Sequence, residues 1–115
     1  MAQDNILATT VTIASGTTTA VIDLDKRVLV GVQTPASIAS SALTINQAYQ
    51  SGGTYAPVYD GLGQYGAVGD VTFTIASSKY VIIPPTVTAG IPFIKLVFGS
   101  TETAKTFIYY TREIN

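Results

Sequence analysis

Residues 58–76 read VYDGLGQYGAVGDVTFTIA, and two architectures compete for them. Within them GLGQYG (61–66) fits G-x-G-x-x-G letter for letter, the turn that cradles phosphate in dinucleotide-binding α/β folds. That fold needs a helix after the turn, to hold the pyrophosphate at its N-terminus, and an acidic residue about 20 positions further on. Neither is there. Ala67-Val68-Gly69-Asp70 leads straight into VTFTIA, and no acidic residue lies between Asp70 and Glu102. In VTFTIA, Val71, Phe73 and Ile75 alternate with Thr72 and Thr74, the period of a half-buried strand. The stretch is a glycine-rich β–β connection, and the fold is all-β.

The same alternation extends outward. LATTVTI sets Leu7, Val11 and Ile13 against Thr10 and Thr12. VLVGV (28–32) is apolar on both faces, as in a central strand between layers. KTFIYYTR has the aromatic and β-branched content of a strand. Turn residues punctuate these runs at Ser15-Gly16, Asp25-Lys26, Ser51-Gly52-Gly53, Gly61 to Gly69, Pro84-Pro85, Ala89-Gly90 and Gly99-Ser100. Strands are expected near 6–13, 20–24, 28–33, 42–50, 54–59, 71–76, 79–83, 91–98 and 104–112. Eight or nine short strands make a β-sandwich or barrel. One helical turn is conceivable at 34–39, with Thr34 as cap and Pro35 in the first helical position. There is no internal repeat, and the 115 residues suit a single domain, taken as 9–115, preceded by an N-terminal arm, 1–8.

Charged residues make up 11% of the chain, against about 25% in typical domains. Part of the surface is therefore expected to be covered by a partner. Six Lys+Arg and seven Asp+Glu form no run, so the basic footprint of nucleic-acid binding is missing. Without cysteine or histidine the chain lacks disulfides, thiolate ligands and the commonest general base. The start MAQDNILATT has no basic region followed by an apolar stretch, and no stretch is long enough to span a membrane. A soluble protein without a secretory signal is expected.

Candidate sites are few. Asp60 and Asp70 flank the glycine-rich loop and could offer oxygens to calcium, which wants six to eight; turn chemistry is the better account of them. Asp23 and Asp25 could act as a carboxylate pair, but beside Lys26 and Arg27 they read as a solvated turn. Tyr49, Tyr55, Tyr59 and Tyr65 cluster around residues 51–66 and could stack on sugars, or serve core and interface. No spacing supports a catalytic arrangement, so no enzyme activity, cofactor or metal is expected.

Three stretches, GVQTPASIASSALTINQAYQSGGTYAPVYDG (31–61), SSKYVIIPPTVTAGIPFIKLVFGS (77–100) and TFIYYTREI (106–114), resemble a group of small tailed-phage virion proteins. In that group a "GIQMPA…LTFQ…DG" segment precedes an apolar strand, a proline, "AG" and "YIKLRSG". Matching residues include Gly31, Gln33, Pro35, Ala36, Leu43, Thr44, Asp60, Pro84, Ala89, Gly90, Ile94, Lys95, Leu96, Gly99 and Ser100. Phe93 and Phe98 depart from the group's more polar residues, and the 61–70 loop is richer in glycine. The resemblance implies a jelly-roll-like antiparallel β-sandwich acting as a capsid decoration (cement) protein. It further implies a virion location, synthesis in the host cytoplasm, the major capsid protein as partner, and a homo-oligomer, often a trimer. On that reading Asp4, Asn5, Ile6, Leu7, Lys26 and Arg27 are expected to contact the capsid or a neighbouring subunit. The alternative is a tail- or fibre-associated carbohydrate-binding module using Tyr49, Tyr55, Tyr59 and Tyr65.

Overall fold

A computed structural model describes residues 6–113. The chain forms β1 (Ile6–Thr18), β2 (Ile22–Asp23), β3 (Arg27–Gln33), β4 (Ala42–Ala48), β5 (Ala56–Pro57) and β6 (Tyr59–Asp60). It continues through β7 (Gly69–Asp70), β8 (Thr72–Thr74), β9 (Tyr80–Ile82), a 3₁₀ turn at Pro85–Val87, and β10 (Phe93–Glu113). All pairings are antiparallel among the described residues. The expected all-β, sandwich-like fold is what forms.

The organiser is β10. Its first part pairs with β4 from Phe93↔Ala48 to Phe98↔Leu43, and its last part pairs with β3 from Ile108↔Gln33 to Glu113↔Arg27. β1 runs along it from Ile6↔Arg112 to Gly16↔Glu102, then jumps to Thr18↔Val97. On the β1 side, Thr17 alone thus stands against Phe98–Thr101 of β10, and Gly16 supplies the positive φ (128°) that lets the ribbon turn there. This corner divides one hydrogen-bonded sheet into two halves, β9-β3-β10-β1 and β5-β4-β10-β2, with β8 also on β4.

The halves close on a core of Leu29, Val32, Leu43, Ile45, Ile94 and Leu96, all fully buried. Each such side chain contributes roughly 1.5–3 kcal/mol through the area it removes from water. Phe98 and Phe107, one from each part of β10, stack across the fold with ring centres 4.5 Å apart. VTFTIA behaves as its alternation requires, with Val71 and Ile75 buried and Thr72 and Thr74 exposed. Leu7 departs from its pattern. It lies on the core side of β1 but is 52% exposed, because the ribbon runs past the end of the core.

Two expectations are corrected. The strands expected at 91–98 and 104–112 are one continuous strand, because Gly99-Ser100 marks the corner and not a hairpin turn. No helical turn forms at 34–39. The Thr34 hydroxyl donates to Ala76 O (2.6 Å) and accepts from Lys79 N (2.8 Å), while Pro35 O accepts from Ser78 N. Downstream, the buried Glu102 carboxylate takes up the backbone donors of Ala39 (3.0 Å) and Ser40 (2.7 Å), which a helix would have needed. Desolvation pushes the Glu102 carboxyl up, but hydrogen bonds from Ser40 and Ala39 and the charge of Lys105 outweigh it, so its pKa lies below the ordinary value.

Candidate interaction surfaces

Directly opposed residues of an antiparallel sheet share a face, so the register sorts the β9-β3-β10-β1 half. Val81, Val32, Tyr109, Thr9, Phe107 and Val11 look inward, and all but Thr9 pack in or against the core. The opposite face carries Tyr80 and Ile82 from β9, Gly31 and Gln33 from β3, Ile108, Tyr110 and Arg112 from β10, and Ile6, Ala8 and Thr10 from β1. Ile82 is 75% exposed, Tyr80 51% and Ile6 45%. Arg112 is the one charge among these positions.

This face is ordered in advance. A Cβ on Gly31 would come within 2.7 Å of two ring atoms and the hydroxyl oxygen of Tyr80, so the glycine is the bed on which that side chain lies. Tyr80 packs against Tyr110 at 5.0 Å between ring centres, and the Tyr110 hydroxyl donates to Gln33 Oε1 (2.7 Å). Burial first, and the neighbouring Tyr110 second, push the Tyr80 phenol up. A rigid aromatic pair among aliphatic side chains is the composition of an interface centre. None of Tyr80, Ile82, Ile108 and Tyr110 was singled out from sequence, because only the register brings them together.

Of the expected contact residues, Asp4 and Asn5 lie outside the described residues. Ile6 and Leu7 are exposed and belong to β1, beside Arg112 and Thr111 of β10. On the other side of β10, Arg27 lies opposite Glu113 and Leu29 opposite Thr111. The described members of the set, Ile6, Leu7, Lys26 and Arg27, therefore gather at one end of the sheet. Their roles differ. Lys26 is exposed, whereas Arg27 is half-buried and donates through Nε (2.8 Å) and Nη2 (3.1 Å) to the hydroxyl and carbonyl of Thr111.

The four tyrosines do not form one platform. Tyr49 and Tyr59, 76% and 65% exposed, line a groove of about 380 Å³ with Pro57, Thr54 and Ile91. Tyr55 donates to Ser51 O (2.8 Å) and lies under the Lys95 ammonium, 4.5 Å from the ring centre. The Tyr65 hydroxyl bonds to that of Thr86 in the 3₁₀ turn. A second groove of about 410 Å³ runs between Asp25–Arg27 and Gly90–Pro92, and Ile91 borders both.

The acidic pairs resolve as turn chemistry. Asp60 Oδ1 accepts from Leu62 N (3.1 Å) and Oδ2 from Tyr65 N (2.7 Å). The Tyr65 bond lowers the Asp60 pKa most, against desolvation, helped by the donors of Gln64, Leu62 and Gly63. The G-x-G-x-x-G loop thus cradles an anion after all, the carboxylate of the residue before it. Gly63 takes the positive φ, 75°, within the run of these donors, and Gly66, at 123°, follows it and donates to Gly63 O. Asp70 pairs opposite Tyr59, so it lies on the other face of the β6–β7 ladder from Asp60. Asp23 Oδ1 accepts from Asp25 N (2.8 Å), a local turn bond. Among the described residues no group of three or more His, Cys, Asp or Glu could hold a metal ion.

The molecule is thus a single all-β, sandwich-like domain whose distinctive surface is a sheet face. No family model matches the chain, and no curated protein sequence does. Among solved structures it is similar to the SPBc2 prophage-derived protein YomS, with a TM-score of 0.60 at 11% identity, over 97% of this chain and 96% of that one. The two share a fold from end to end. Exo-inulinase from Aspergillus awamori aligns at a TM-score of 0.44 and 12% identity, over 93% of this chain and 29% of the enzyme. CsCBM6-3 from Clostridium stercorarium, in complex with cellobiose, aligns at 0.31 and 18%, over 96% and 83%.

Proposed function

We propose that this chain is a structural component of a tailed-phage virion, a decoration protein that seats the outer face of its β9-β3-β10-β1 half on the major capsid protein. The observation that carries this reading is the face itself: Tyr80 and Tyr110 held in place over Gly31, flanked by Ile82 and Ile108, with Arg112 as its charge. The sequence resemblance to phage virion proteins and the fold shared with a prophage-derived protein support the setting. A standard interface takes about 800 Å² from each partner, roughly an eighth of the 6401 Å² that this chain exposes. The proposed role is one of contact: Asp60 and Glu102 hold backbone donors of their own chain, a structural use of carboxylates. Copies on one head act multivalently, each further contact being intramolecular once the first has formed.

A test is co-sedimentation of the purified protein with heads that lack it. Ile82→Lys, on an edge strand at a 75% exposed position, should preserve the fold and reduce head binding at least about tenfold, a cost of roughly 1.4 kcal/mol. Wild-type affinity for that variant would refute the proposed docking face.

A second reading, a carbohydrate-binding module of a tail or fibre, is favoured by Tyr49 and Tyr59 on one groove. It predicts glycan binding that is lost in Tyr59→Ala and unaffected in Ile82→Lys.

A further inference from the structure

β1 is an open edge. It pairs with β10 and with no other described strand. Its sequence, ILATTVTIASGTT, holds no charge and no proline, and its ribbon stays in register from Ile6 to Gly16. Natural edge strands are usually blunted by charge, proline, shortness or a bulge. Here the shift at Gly16/Thr18 bends the ribbon only beyond that stretch. Alternate residues in between direct unpaired N–H and C=O groups away from β10, as every antiparallel edge does.

We infer that β1 pairs antiparallel with β1 of a second copy of this chain about a twofold axis at Thr10, joining two half-sheets into one. Length selects the occupant. The other outer strands, β2, β5, β8 and β9, have two or three residues each, so a second β1 is the edge of this protein that matches. Face parity narrows the register, because a slip by one residue would set core-side positions against solvent-side ones. Pairing centred on Thr10 keeps parity and places Leu7 opposite the partner's Ile13. That contact covers a core-side leucine left 52% exposed in the single chain. The neutral sequence sets no like charges across the junction. The joined sheet also doubles the outer face described above, with the two Thr10 positions at its middle and the two Ile6 positions four residues to either side. This arrangement is twofold, unlike the trimer that the sequence resemblance implies, and it does not rest on the phage reading.

Sedimentation velocity of the full chain at micromolar concentrations tests it. A dimer is expected for wild type, and a monomer with unchanged far-ultraviolet circular dichroism for T10K/T12K, whose lysines face solvent on the same strand. The substitution should raise the dimer dissociation constant at least about tenfold. The chain has no cysteine, so T10C should form a disulfide-linked dimer on mild oxidation while S51C, in an exposed turn, should not. A wild-type monomer or trimer would overturn the inference, as would a dimer untouched by T10K/T12K or equal cross-linking of both cysteine variants. Because it needs no phage head, its outcome is separate from that of the docking experiment.

Discussion

Glu102 is 1% exposed, and replacing it with alanine should loosen the segment it anchors. Oε2 accepts from both backbone donors, Ala39 N at 3.0 Å and Ser40 N at 2.7 Å, and Oε1 also accepts from Ala39 N at 3.0 Å. Leaving a buried donor without a partner costs about 1–3 kcal/mol. Ser40 is buried and incurs most of that range, whereas water can reach Ala39 and lowers its share. The sum for Glu102→Ala is about 3 kcal/mol, or a drop in melting temperature of roughly 10 °C for a chain of this size. Glu102→Gln can turn its one carbonyl oxygen to both donors, but its NH2 then takes the place of Oε1, 3.0 Å from Ala39 N, so it loses the charge and sets donor against donor and should cost about 2 kcal/mol. The pH dependence has a definite sign. The folded pKa lies below the unfolded value, so the contribution is complete above the unfolded pKa of about 4.3 and is lost as pH falls through the folded pKa. Urea unfolding of the three proteins at neutral and acidic pH measures each quantity. A loss below about 1 kcal/mol for alanine, or glutamine as damaging as alanine, would refute this account of residues 34–41.

Thr34→Val removes a hydroxyl that bonds Ala76 O and Lys79 N and should cost about 2 kcal/mol in urea unfolding. Gly31→Ala should displace the Tyr80 ring from Tyr110, lowering stability by about 1 kcal/mol and weakening the tyrosine signal in near-ultraviolet circular dichroism; an unchanged ring position in a crystal structure would contradict it. Asp60→Ala should speed amide exchange at Leu62 and Tyr65 while protection in β3 and β4 persists. In wild type those two amides should keep their protection into acid, losing it only as pH falls through the lowered Asp60 pKa.

Period-2 patterning made the strands legible, since a strand with one buried face writes its alternation locally. VTFTIA and VLVGV therefore occur where they were expected. What stayed hidden depends on residues distant in sequence. Gly99-Ser100 carries the same local signal whether the chain reverses or turns a corner, and the register shift of β1 decides between them. Thr34-Pro35 reads as a helix start until Glu102, 63 positions from Ala39, is known to take the donors. GLGQYG reads in sequence as a plain glycine-rich connection, and only the folded loop gathers its amides on the chain's own Asp60. Tyr80 and Tyr110 became a candidate site only when β3 placed Gly31 between them. The tyrosine cluster split for a similar reason: Lys95 and Thr86 engage two of its members from elsewhere in the chain.

The proposed role is tested most directly by cryo-electron microscopy of the parent virion, with this chain first identified in it by mass spectrometry. The account predicts density for the sandwich at symmetry-related positions on the outside of the head, with the Tyr80–Tyr110 face against the shell. Density confined to the tail or fibres, or a head-bound sandwich whose Tyr80–Tyr110 face points to solvent, would contradict it.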